Sequence, residues 1–181
     1  YYLDGSVKAV SEIYDKGKRA YTKTYHKNGQ LMTEGYYLNK QKDSTWKFYN
    51  VRGELLTKEH YEKNRLHGKF ISYYADSTVS EILHYSNGEK TGPWQQFYKN
   101  GQLKLEATFS RDSLQGRALY YNPRGVIKAE GTYENDLKTG QWKYYTDDGK
   151  LQRTETYRNG VMIGRETFID IEPDFQNPDS E

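Results

Sequence analysis

The sequence has no cysteine, so neither disulfide cross-links nor thiolate-held metals are open to it, and cysteine usage leaves the redox compartment undecided. It has no run approaching the ~20 apolar residues a membrane-spanning helix needs, which predicts no transmembrane segment. Aliphatic residues are scarce: Leu, Ile and Val together make 26 of 181 residues, and mean hydropathy is −1.09. Such a shortage combined with a large net charge would point to disorder, but the net charge is only +2. What stands in for the aliphatics is 19 Tyr, 6 Phe and 3 Trp. Each aromatic ring can bury ~150–250 Å², and Tyr tolerates a half-wet surface, which suits a thin sheet better than a thick core.

Those aromatics are periodic. Steps of 24 from Tyr1 reach Tyr25, Tyr49, Tyr73, Phe97, Tyr121 and Tyr145. The same step from Gly5 reaches Gly29, Gly53, Ser77, Gly101, Gly125 and Gly149; from Ile13 it reaches Tyr37, Tyr61, Tyr85, Phe109, Tyr133 and Tyr157. A further column holds Ser44, Gly68, Gly92, Gly116, Gly140 and Gly164, followed two residues later by Trp46, Phe70, Trp94, Ala118, Trp142 and Glu166. About seven repeats therefore start at residues 1, 25, 49, 73, 97, 121 and 145, and they end near residue 169.

Each repeat carries two turn signals. Asn28-Gly29, Asn100-Gly101, Asp4-Gly5 and Asp148-Gly149 are dipeptides that close tight hairpins. A looser turn is expected from Asn39, Asn87 or Asn159 to the following glycine column. About nine and then about six residues lie between turns, both strand-sized, and polar and apolar residues alternate along them. No segment shows a capped helical stripe. The fold expected is all-β: an elongated single-layer antiparallel meander of about fourteen strands, roughly 65 Å long at ~4.8 Å per strand. Residues 170–181, with five acids, no base and two prolines, fall outside the pattern and read as an acidic tail or linker. Without them, residues 1–169 carry a net charge of +7.

The units Leu66-His67-Gly68-Lys69-Phe70, Lys90-Thr91-Gly92-Pro93-Trp94 and Lys138-Thr139-Gly140-Gln141-Trp142, with Tyr25-His26-Lys27-Asn28-Gly29-Gln30-Leu31, resemble MORN repeats. They are most similar to the bacterial variant, whose members often carry an antitoxin-like label. The resemblance implies single-layer β-hairpins and a role in protein or lipid contact. Thr22, Ala118 and Glu166 in the Trp column and Ser77 in the turn-glycine column depart from the pattern, which predicts weaker packing there, with Glu166 a polar end to the sheet.

Candidate chemistry has to be found against this periodic background. Stacked Tyr and Trp could hold sugars or bases, yet in a chain so poor in Leu and Ile they are the available core. Alternation points the Tyr1-type column away from Trp46, and so leaves Tyr49, Tyr73, Tyr121 and Tyr145 as binding candidates. Lysines recur in columns, and Lys47, Lys90 and Lys143 could face phosphate or anionic lipid, or serve as solvated guards against edge pairing. His60 and His84 share a column, but two strand spacings put them ~10 Å apart, too far for one metal ion. Carboxylates such as Glu34, Glu106 and Glu130 recur on every repeat or so, where a catalytic pair would occur once. No nucleophile elbow or phosphate loop is visible. The expectation is a non-catalytic scaffold without cofactor or metal, binding another protein through its sheet. The alternative is a glycan- or anionic-lipid-binding surface; specific nucleic-acid binding is not expected. The lack of cysteine, the abundance of Tyr and a start in mid-pattern fit an exported bacterial protein, periplasmic or at the cell surface.

Overall fold

The computed structural model describes residues 1–169; the acidic tail expected at 170–181 lies outside them. The strands are β1 (Ala9–Tyr14), β2 (Arg19–Tyr25), β3 (Leu31–Leu38), β4 (Gln41–Tyr49), β5 (Leu55–Glu62), β6 (Arg65–Tyr73), β7 (Val79–Ser86), β8 (Glu89–Lys90) and β9 (Gly92–Phe97). They continue with β10 (Leu103–Ser110), β11 (Ser113–Leu114), β12 (Gly116–Tyr121), β13 (Ile127–Glu134), β14 (Leu137–Tyr145), β15 (Leu151–Arg158) and β16 (Val161–Thr167). All belong to one antiparallel sheet whose order follows the chain, with β8 and β11 as short first halves of the arms completed by β9 and β12. The all-β meander of hairpins expected from the sequence is the fold. A single 3₁₀ turn, Asp15–Gly17, is the one helical piece among the described residues.

The two kinds of turn have exchanged characters relative to expectation. The turns read as loose are two-residue connections: Asn39-Lys40, Lys63-Asn64, Asn87-Gly88, Arg111-Asp112, Asn135-Asp136 and Asn159-Gly160 all have positive φ at both positions. That is the mirror-image turn whose twist matches the flanking strands. The Asn-Gly turns are the longer ones. In residues 26–30 only Gly29 has positive φ (82°); its N–H donates to His26 O, and His26 N–H donates to Gln30 O. Gly29 is therefore the left-handed residue after an ordinary turn, and Asn28 Oδ1 accepts from Gln30 N–H.

The glycine column at 68 is not in a turn at all. Gly68, Gly92, Gly116 and Gly140, with φ between 64° and 86°, and Ser44, with φ 61°, sit inside strand arms as bulges. Glu34 pairs with Lys47 while Tyr36 pairs with Asp43, so Gly35 alone faces Ser44, Thr45 and Trp46. The same two-residue shift occurs between β5 and β6 and between β13 and β14. The bulge swings each large ring onto the neighbouring strand. Trp46 and Trp142 are 2% and 1% exposed, and their Nε1–H groups donate to Tyr36 O and Thr132 O.

Both rims of the sheet are laced from repeat to repeat. On one rim, Tyr2, Tyr74 and Tyr98 each donate a hydroxyl hydrogen bond of 2.7 Å to the carbonyl 23 residues on, at Tyr25, Phe97 and Tyr121. On the other, Asn64, Asp112 and Asp136 clamp residues 42, 90 and 114. Their N–H groups donate to those carbonyls, and their Oδ1 atoms accept from those N–H groups at 2.6–2.8 Å.

The C-terminal end holds a departure from strict period. Glu155 pairs with Arg165, one place short of the Glu166 that the column predicts, with a bulge between Thr156 and Tyr157. A one-residue slip inverts which side chains face which way. Arg165 therefore closes the tryptophan row, donating to Glu155 at 2.6 Å, while Arg153 donates to the same carboxylate at 2.9 Å. The expected polar end is present, built from the buried Glu155 and its two arginines and not from Glu166.

Candidate functional site

The two faces of the sheet differ in character. One carries the rings that the bulges redirect. Tyr37 meets Trp46 edge-on at 4.9 Å between centroids, Tyr133 meets Trp142 at 5.0 Å, and Trp94 meets Phe109 at 5.2 Å. Among the described residues no second layer covers these rings; lysines do. Lys42 Nζ stands 4.7 Å from the Trp46 ring centre and 4.8 Å from that of Tyr61, and Lys138 Nζ stands 4.2 Å from Trp142. Burial lowers the pKa of both ammonium groups from the usual lysine value. The apolar stems supply the missing layer while the charge stays near water.

The opposite face carries most of the residues singled out in the sequence. Glu34 accepts hydrogen bonds from Lys47 Nζ at 2.9 Å, from Tyr49 Oη at 2.8 Å and from Tyr21. Burial pushes the Glu34 carboxyl up, but the bonds from Tyr21, Lys47 and Tyr49 outweigh it and hold the pKa at about 2. Burial and the adjacent carboxylate push Tyr49 up to about 12. The arrangement returns four repeats later. Glu130 accepts from Tyr145 Oη at 2.6 Å and Arg117 Nη2 at 2.7 Å, with Lys143 as its cross-strand partner. Tyr145 is likewise raised to about 12 by burial and by Glu130, and Tyr121 is raised by burial and by Glu106. Tyr73 lies under Lys58, whose Nζ is 5.5 Å from the ring centre.

Lys90 does not join this group. Its Nζ lies 5.1 Å from the Phe109 ring centre on the tryptophan face, so it belongs with Lys42 and Lys138. The seven candidate residues thus divide: Lys47, Tyr49, Tyr73, Tyr121, Lys143 and Tyr145 share one face, and Lys90 lies on the other. Beside Tyr145 a shallow basin of about 420 Å³ is bordered by Arg117, Glu130, Thr132, Gln141 and Lys143. Sequence reasoning missed Arg117, because its column mixes Tyr21, Thr45, Pro93 and Gln141 with the cations Lys69 and Arg165 and so shows no regular repeat of charge.

Repetition decides what these clusters are. Glu34 and Glu130 each accept from the tyrosine of the same column and face a lysine across the strand, as members of a lattice do, while Tyr21 at the first is replaced by Arg117 at the second. Among the described residues no group of three or more His, Asp or Glu is placed to hold a metal ion. His84 Nδ1 is 2.9 Å from Pro93 O, and His60 Nδ1 lies 3.4 Å from Thr45 Oγ1, so each is engaged locally. Among the same residues no helix is long and apolar enough to cross a membrane.

A family model described as the MORN repeat variant matches residues 20–39, 66–87, 90–110, 114–135 and 138–169, well over half of the chain. The chain belongs to the MORN repeat variant family. None of the curated proteins compared with it matches. The first matched segment of this MORN protein begins within β2, and the hairpin that β2 closes differs from the later ones. β1 and β2 pair in unbroken register from Ala9↔Thr24 to Tyr14↔Arg19, without the bulge and without the tryptophan.

Proposed function

We propose that this MORN repeat chain is a non-catalytic scaffold that binds another protein on the face carrying Tyr49, Tyr73, Tyr121 and Tyr145. The observation that supports this is the repeated pairing of a half-buried Tyr with a carboxylate and a cation, at Glu34 and again at Glu130. Each cluster fixes a ring and a cation without a flexible loop, so little ordering cost remains when a partner lands. Tyr and Arg are also the side chains enriched in protein interfaces, being apolar along their length and polar at the tip. A toxin covered by such a face would be one instance, in keeping with the antitoxin-like label that the sequence resemblance carries. An exported location, periplasmic or at the cell surface, goes with this reading and is checked by cell fractionation.

The test places a photo-crosslinking amino acid at Tyr73 or Tyr145 and, in a separate variant, at Tyr61 on the tryptophan face. Irradiation in native cells is expected to give a discrete protein adduct from positions 73 and 145 but not from 61. The purified partner should then bind the unmodified chain and lose affinity when Tyr73 and Tyr121 become Ala, with melting temperature followed alongside. Binding to anionic vesicles that falls steeply with salt and needs Lys47 and Lys143, with no protein adduct, would replace this reading with the lipid-surface one.

A further inference from the structure

The first hairpin lacks the ring that the next unit supplies for itself with Trp46. In the complete units a ring from the middle strand lies between two flanking side chains and beneath a lysine. Trp142 sits beside Tyr133 at 5.0 Å and Tyr157 at 6.4 Å, below Lys138 at 4.2 Å. Five periods earlier in each column, the corresponding residues of the first unit are Ile13 and Tyr37 as flanks, Lys18 as lid and Thr22 in place of tryptophan. Ile13, Ala20 and Tyr37 are successive cross-strand partners, so two large side chains flank a small one. The result is an open basin of about 520 Å³ lined by Ile13, Lys18, Ala20, Thr22, Tyr37 and Lys40.

A second unit also lacks its ring, and there the gap is closed. Ala118 is 0% exposed because Leu114, in the lysine column, and Tyr120, two residues along the strand, pack into the same core. The first unit has Lys18 and Thr24 at those positions, which cannot fill it. Ile13 stays 69% exposed. The basin floor is chemically settled, since Ser11 Oγ and Thr22 Oγ1 bond each other at 2.8 Å and ask nothing of a ligand. Its rim has two ammonium groups and its lining includes no carboxylate.

We infer that this basin is a docking site for an aromatic side chain carried on an acidic polypeptide segment of a partner protein. The ring would take the place that Trp46 and Trp142 occupy in their own units, stacked against Tyr37 and Ile13. The carboxylates flanking it would meet Lys18 and Lys40. The site lies on the tryptophan face, so it stands or falls independently of the face argued above.

The experiment uses the full chain and the peptide acetyl-Asp-Glu-Trp-Glu-Asp-amide, with calorimetry for affinity and NMR for position. Saturable binding is expected, with shifts centred on Ile13, Ala20 and Thr22, and replacing the peptide's Trp by Ala should weaken it at least about tenfold, or ~1.4 kcal/mol. Filling the basin from within, by Ser11→Gly with Thr22→Trp, copies the Gly35–Trp46 pair; it should cut peptide affinity at least as much and raise the melting temperature. Should that double variant misfold, Ala20→Leu fills the same space by a smaller change and should also block the peptide. Absence of binding at millimolar peptide, binding indifferent to the ring, shifts mapping elsewhere, or full affinity in a folded, filled variant would each overturn the inference.

Discussion

Trp142 lies flat on the backbone of Gly131, so closely that a methyl group on Gly131 would overlap the indole ring, and Trp46 lies on Gly35 in the same way. Contact without a Cβ is what lets a single layer bury a tryptophan. Gly131→Ala should therefore destabilise the fold by ~1–3 kcal/mol through overpacking, and Trp142→Ala by ~3–5 kcal/mol through the cavity left. Urea unfolding of the single and double variants checks this. The double variant should lose less than the sum, because the alanine methyl has room once the indole is gone.

Ser44 and Ser77 hold positive φ, at 61° and 67°, in columns where five or six of the seven repeats carry glycine. A side chain there carries a steric cost that glycine lacks. Ser44→Gly and Ser77→Gly should each stabilise the protein by up to ~1 kcal/mol, read as a rise in melting temperature with no change in binding.

Glu34 and Glu155 both have folded pKa values of about 2. In Glu155, burial pushes upward and the bonds from Arg153, Tyr157 and Arg165 outweigh it. An unfolded Glu titrates near ~4.3, so the stabilisation is complete above that pH and disappears as pH falls towards about 2. Each carboxylate accounts for at most on the order of 3 kcal/mol of this acid sensitivity. Denaturation followed from pH 6 to 2 should show a steep loss below pH 5, and Glu155→Gln should flatten it. The same variant should be less stable at pH 7, because Arg153 and Arg165 lose their counter-charge.

Deletion of residues 73–96 rejoins the columns at the same register and should leave a shorter folded protein, since each unit leans mainly on its neighbours. Deletion of residues 73–84 reverses every later strand and should abolish cooperative unfolding, by circular dichroism and calorimetry.

The strands, their order and the outward direction of Tyr49 were all legible in the sequence, because a period of 24 and an alternation of two leave little freedom. The turns were not. Asn28-Gly29 fits either a two-residue turn or a left-handed residue after a longer one, and the dipeptide alone does not choose. Lys63-Asn64 and Arg111-Asp112 contain no glycine, so nothing local announces their positive φ; the clamp from Asn64 and Asp112 onto the preceding repeat supports it. Lys90 was grouped with Lys47 and Lys143 on charge, although by period it falls in the column of Lys42 and Lys138, which lies on the tryptophan face. The slip that brings Arg165 to Glu155 follows from a buried carboxylate seeking a cation, a preference between strands that no column of letters displays.

The hydroxyl rungs from Tyr2, Tyr74 and Tyr98 to the turn 23 residues ahead also determine how the molecule would answer a mechanical load. Tension applied between the first and last strands acts across the sheet, so it opens rungs and strand pairs in succession from an end. Each hairpin that peels away releases 24 residues, roughly 80 Å of extended chain, against the ~10 Å it occupied across the sheet. The force trace would be a train of nearly equal steps, one for each unit of 24 residues.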